Sequence, residues 1–151
     1  MAGVTNRGKK LILEYFTGRT ARPTNFYLAM LTAASAPTAD SNVISDHTQI
    51  ATGNGYTDGG YQLTPGSTDF DASSESDAAD TALIQLKDIS WTASGGNVPA
   101  SGGGARYAVM TTDEATVANR QVICWWDLVA DRTISTGQTL TLQNLEIDLT
   151  E

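Results

Sequence analysis

Apolar residues recur through residues 5–17 as Leu11, Ile12, Tyr15 and Phe16, one face of a 3.6-residue period. This pattern predicts a helix over 5–17, capped by Thr5 or Asn6 and stopped by Gly18. A short helix with one apolar stripe is unstable alone in water. It has to pack on its own sheet or on a neighbouring subunit.

The rest of the chain reads as strands. Residues 25–32 are apolar at nearly every position, which predicts a buried strand between Pro23 and the Ala/Ser/Pro/Thr stretch at 33–42. Residues 45–51 suggest a short helix capped by Ser45. Residues 53–60 are turn-rich in Gly and Asn, and residues 61–63 begin a short strand. Residues 66–80 read as a long acidic loop. Residues 82–91 alternate through Ile84 and Leu86, then slip one place to Ile89 and Trp91, which predicts one strand bulged near Lys87-Asp88. Residues 105–111 and 121–129 predict two more strands, the second the most apolar and placed centrally. Residues 139–149 repeat the slip after Gln143-Asn144, again as one bulged strand. Five or six strands with glycine-rich turns and one N-terminal helix predict a mainly β protein. The expected fold is an antiparallel β-sandwich, jelly-roll-like, formed as a single domain over 1–151.

Charge changes this picture. Residues 1–22 hold five basic residues against one acidic, a net +4. The remaining four basic and sixteen acidic residues sum to −12, giving −8 overall. The chain is thus a basic N-terminal arm on an acidic body, with Asp69, Asp71, Glu75, Asp77 and Asp80 clustered in the 66–80 segment. The asymmetry fits a solvated surface first, with a basic element of one copy meeting an acidic loop of the next as the sharper alternative. The net negative charge argues against sequence-independent nucleic-acid binding. No stretch is apolar enough for a membrane span or reads as a secretory leader, so the expected site of folding is a cytoplasm.

Candidate chemistry is sparse. The lone Cys124 excludes an internal disulfide and a thiolate-built zinc site. It lies in an apolar strand, where burial would keep it inert. The lone His47 is the one residue around which a Ser-His-Asp set could form, and no G-x-S-x-G elbow accompanies it. Gly53-x-Gly55 lacks the third glycine of a dinucleotide loop, where Asp58 stands. The acidic segment offers oxygen ligands for calcium without EF-hand spacing, and no carboxylate pair stands out for glycoside cleavage. Tyr27, Tyr56, Tyr61, Trp91, Trp125 and Trp126 could form a sugar platform or a core. No catalytic residue, metal or cofactor is expected.

The order of these elements resembles a family. The helix, the strand at 26–32, the turn at 53–61, the strands through Trp91-Thr92-Ala93-Ser94 and 105–109, and Ile123-Cys124-Trp125-Trp126-Asp127-Leu128 follow one another. Ile134-x-x-Gly137-x-Thr139-Leu140 and alternating leucines close the chain. The chain is similar to small virion structural proteins of tailed bacteriophages, over nearly its whole length. Such proteins serve as head-decoration (cement) or tail accessory parts. The resemblance implies no enzyme and no cofactor. It implies a decoration protein on the outer capsid surface, assembled in the host cytoplasm and bridging the major capsid protein. The protein would be a homotrimer or homodimer that binds neither nucleic acid nor membrane. Tail, neck or fibre accessory proteins and a carbohydrate- or receptor-binding module are the alternatives. The expected contact residues are Arg7, Lys9, Lys10, Leu11, Tyr15 and Phe16 of the arm, and Asp69, Asp71, Glu75 and Asp77 of the acidic segment.

Overall fold

The computed structural model describes residues 2–150. It is mainly β, with antiparallel sheets and one α-helix. Ten strands occur in chain order, with α1 (Asn6–Phe16) between the first two. They are β1 (Ala2–Val4), β2 (Phe26–Leu31), β3 (Tyr61–Leu63), β4 (Phe70–Ser76), β5 (Thr81–Leu86), β6 (Ile89–Thr92), β7 (Ala105–Thr111), β8 (Val122–Arg132), β9 (Thr139–Leu142) and β10 (Glu146–Thr150). A five-stranded sheet has the order β1-β8-β7-β2-β3, a three-stranded sheet β10-β5-β4, and a two-stranded ribbon β6-β9. The expected central strand at 121–129 is interior in the first sheet, and β7 sits at its middle.

Both expected bulges are instead strand breaks. Leu86 and Ile89 are both buried, as are Leu142 and Leu145, so the inward face skips two residues at each place. The two breaks lie opposite each other. Ile89 pairs with Leu142 on one side of them, and Gln85 with Glu146 on the other. The Leu86 N–H donates to the Leu145 carbonyl at 2.9 Å across the gap. Asn144 takes φ +54° there, a backbone region that asparagine tolerates better than most residues. One long two-stranded ribbon therefore changes face at a single level, contributing β6-β9 to one sheet and β5-β10 to another.

The acidic loop expected over 66–80 holds a strand at its centre. Phe70–Ser76 forms β4, paired with β5 from Phe70↔Leu86 to Ser76↔Thr81, and residues 65–69 and 77–80 turn on either side of it. Its polar composition hid it because an outermost strand needs no buried face. Charge on such an edge also discourages pairing with other chains. The helix expected over 45–51 is also corrected. A 3₁₀ turn spans only Ile44–Asp46, and Gln49 bridges Leu31 in an extended conformation. Asp46 ends the turn by accepting the Asn42 and Val43 N–H groups at 3.0 and 3.1 Å.

One hydrophobic cluster draws Phe26, Leu28 and Met30 from β2 together with Leu86, Ile89 and Leu142 from the ribbon. A smaller cluster on the other face of the five-stranded sheet joins Ala29, Leu31, Val109 and Val122 to Ile44. The glycine turn feeds the first cluster. Tyr56 is buried there, and its hydroxyl oxygen accepts the Met30 N–H at 2.9 Å. Gly60, at φ +79°, lies against the Leu28 carbonyl with no room for a Cβ.

The helix is fastened at its start. Thr5 is its N-cap: it accepts the Gly8 N–H at 2.7 Å while its hydroxyl donates to the Val122 carbonyl at 2.6 Å. The Thr5 N–H also donates to the Ile123 carbonyl at 2.9 Å. Gly8 lets the helix backbone lie against β8, since a Cβ there would overlap the Ile123 carbonyl oxygen. In an exposed helix, Gly→Ala stabilises by about 1 kcal/mol. Here Gly8→Ala is expected to reverse the sign and destabilise by about 2 kcal/mol. The shift of the urea midpoint at unchanged slope measures it.

Candidate functional site

A concave feature lies between α1 and the β10-β5-β4 sheet. It is an apolar cleft of about 340 Å³ whose helix wall is Leu11, Ile12 and Tyr15 and whose sheet wall includes Ala82, Ile84, Ile147 and Leu149. The register explains the sheet wall. Directly opposed residues share a face, so Ser73, Ile84 and Ile147 form one row and Glu75, Ala82 and Leu149 the next. Phe70, Met110 and Ile123 line the deep end.

Large apolar side chains remain exposed on the two elements that bound this cleft. Ile84 is 44% exposed and Leu149 46% on the sheet wall, and on α1 Leu13 is 63% and Phe16 88% exposed. The apolar stripe of the helix is thus wider than the surface it packs on. Gly8 and Leu11 are buried, while Leu13 and Phe16 face solvent.

The expected contact residues separate by depth in the fold. Leu11 is buried and belongs to the core, so its apolar surface is already used within the chain. Tyr15 is half-buried against that core, and Arg7 is also half-buried. Lys9, Lys10 and Phe16 are exposed on the helix. Lys10 pairs with Glu14 at 3.1 Å one turn on, a surface pair of small value. Asp69 is buried, and its carboxylate accepts the Thr64 N–H at 2.7 Å, closing the turn before β4. Asp71, Glu75 and Asp77 are exposed on β4 and the turn after it. The sheet wall went unassigned at the sequence level. Its signal was the alternation Ala82-Ile84-Leu86 and Leu145-Ile147-Leu149, which by itself does not separate core positions from an open cleft.

The chemically capable groups are engaged internally. His47 Nε2 lies 2.9 Å from the buried Ser41 hydroxyl, and Nδ1 lies 3.2 Å from the Ser35 carbonyl. With the proton on Nδ1, His47 donates to Ser35 and accepts from Ser41. Ser41 also accepts the Thr38 N–H at 3.0 Å, so this cage ties loop 35–47 together. Cys124 is fully enclosed, and burial pushes its thiol well above the usual range. Arg120 is buried over the Tyr27 ring, 3.6 Å from its centroid. Trp91 and Trp126 are buried. Arg106 and Asp127 make a two-bond pair at 2.9 and 3.3 Å, and that hydrogen bonding holds the Asp127 carboxyl below its ordinary value. Asp127 also accepts the N–H of Val129, a β-branched residue at φ +69° on the irregular, exposed end of β8. Among the described residues, no three His, Cys, Asp or Glu side chains lie close enough together to hold a metal ion. No helix among them is long and apolar enough to cross a membrane.

Comparison with protein-family models, with characterised proteins and with solved structures finds no significant match to this chain.

Tyr15 offers a titratable probe on the helix wall. Burial first, then the charges of Glu114, Asp113 and Glu14, push its hydroxyl up to about 12 from 10.0. The folded state therefore holds this proton after the unfolded state has lost it. The stability it contributes is complete below pH 10 and is lost as pH rises from 10 towards 12. Tyr15→Phe is expected to flatten this part of the alkaline stability loss. Urea midpoints taken across that range read the effect, and an unchanged profile would place the hydroxyl in solvent.

Proposed function

We propose that this chain is a structural subunit of a tailed-bacteriophage particle, a decoration protein that seats on the outer capsid surface and bridges neighbouring subunits of the major capsid protein. The observation that carries the reading is the open apolar cleft, with Ile84 and Leu149 exposed on its sheet wall. An exposed apolar patch marks an interaction surface. The cysteine, meanwhile, is buried, and the half-buried histidine is engaged by Ser35 and Ser41. The resemblance to virion proteins supplies the kind of particle.

The body suits that task as an antiparallel β-sandwich, with the five-stranded sheet as one layer and the bent ribbon with β4 as the other. The shared cluster of Leu28 and Met30 with Leu86, Ile89 and Leu142 supports that reading. A rigid two-layer body transmits load without rearranging. Burying apolar surface across capsid-subunit boundaries would oppose the outward pressure of packaged DNA. Weak contacts repeated over a lattice act together, so each need not be tight. The sugar-platform alternative loses two of its three tryptophans, since Trp91 and Trp126 are spent on the core, while Trp125 is half-buried.

The test is reconstitution. Purified chain added to capsids lacking it is expected to bind in a copy number comparable with that of the capsid protein. It is also expected to raise the temperature at which the shells open. Particles that carry only a few copies would move the protein to the tail or neck. Capsids that neither bind it nor gain heat resistance would remove the decoration reading.

A further inference from the structure

We infer that the cleft between α1 and the β10-β5-β4 sheet is a self-association site, filled by the exposed stripe of α1 from a second copy of this chain. At 3.6 residues per turn, Lys9, Leu13 and Phe16 stand at i, i+4 and i+7 and form one stripe. That stripe cannot enter its own cleft, because Leu11, Ile12 and Tyr15 of the same helix already form the wall. It is apolar at two positions and carries one positive charge.

The cleft is the counterpart. Its two sheet rows, Ser73–Ile84–Ile147 and Glu75–Ala82–Leu149, contain one ionisable side chain, Glu75, at the outer edge. Among the described residues, neither Lys9 nor Glu75 makes an ion pair. A stripe with one cation is complementary in charge to sheet rows with one anion. A second copy would cover Leu13 and Phe16 as well as Ile84 and Leu149, and would pair Lys9 with Glu75. A small apolar ligand in the cleft would leave Leu13, Phe16 and both charges as they are. The contact closes as a two-fold dimer when reciprocal, or as a ring when head-to-tail.

This inference gives the cleft a different occupant from the capsid surface, and its test is independent of the particle reading, since it is measured on the isolated full chain. Sedimentation equilibrium is expected to show a reversible oligomer that weakens as salt is raised. Phe16→Ser removes a side chain that is 88% exposed, so the fold should survive, as an unchanged melting curve would verify. Its dissociation constant is expected to rise at least about tenfold. Lys9→Glu and Glu75→Lys should each weaken association, and the double variant should recover most of it. The charge pair keeps the test decisive if Phe16→Ser proves unstable. A wild-type chain that stays monomeric up to roughly 100 μM would overturn the inference. So would a double variant no better than either single one, or native mass spectrometry showing a monomer with a bound small molecule.

Discussion

Everything distinctive about this molecule follows from one constraint on the ribbon built by β5-β6 and β9-β10. Its two strands change face at the same level, between Leu86 and Ile89 on one and between Leu142 and Leu145 on the other. If only one strand slipped, its partner's apolar residues would turn to solvent, because a one-residue shift inverts every side chain in a strand. The paired break avoids this. Side-chain hydrogen bonds flank it, from Gln85 to Asn144 at 3.2 Å and from Gln143 to Asp88 at 2.7 Å. On one side of the break the ribbon covers the core. On the other it runs on with β4 opposite α1, touching the core through Phe70 and Ile147, and the cleft is the space left between them.

The helix position depends on a second, smaller constraint. Thr5 ties both its backbone and its hydroxyl to β8, and Gly8 removes the one side chain that would hold the helix away. These contacts fix the N-terminal end of α1 and leave its outer stripe free. The wall formed by Leu11, Ile12 and Tyr15 is therefore set by the sheet beneath it, and the cleft does not rely on a mobile loop for its shape.

Much of this arrangement was legible in the sequence. The helix, its Thr5 cap, and the strands at 26–31, 61–63 and 105–111 follow from apolar period and turn residues. The slips at residues 87–88 and 143–144 were visible too, but a single strand cannot reveal that its partner slips at the same height. That is a property of pairing, and pairing is non-local. β4 was hidden for a different reason: Asp, Ser and Glu on an edge strand carry neither an apolar face nor a β-prone composition, and β5 supplies its structure. Leu11 and Asp69 could not be separated from Phe16 and Asp71 by residue type. Leu11 and Phe16 are both apolar helix residues, and Asp69 and Asp71 are both acidic. Only their depth distinguishes them, and depth is set by which elements meet.

The cleft itself is an argument from energetics. An exposed valine- or leucine-sized side chain forgoes about 1.5–3 kcal/mol that burial would supply. Ile84 and Leu149 forgo part of that on the sheet wall of the cleft, and Leu13 and Phe16 forgo more on the outer face of α1. A sequence shaped only by the stability of the isolated chain would fill the trough or make its rim polar, as β4 is made polar along its free edge. The contrast within one sheet is informative: β4 is protected by charge against pairing, while the face of β5 and β10 beside it stays apolar. Backbone edges are closed to partners here and a side-chain face is left open. Contact through such a face is directed by the shape of the trough and the placement of Lys9 and Glu75, whereas pairing along an exposed edge would accept almost any extended chain.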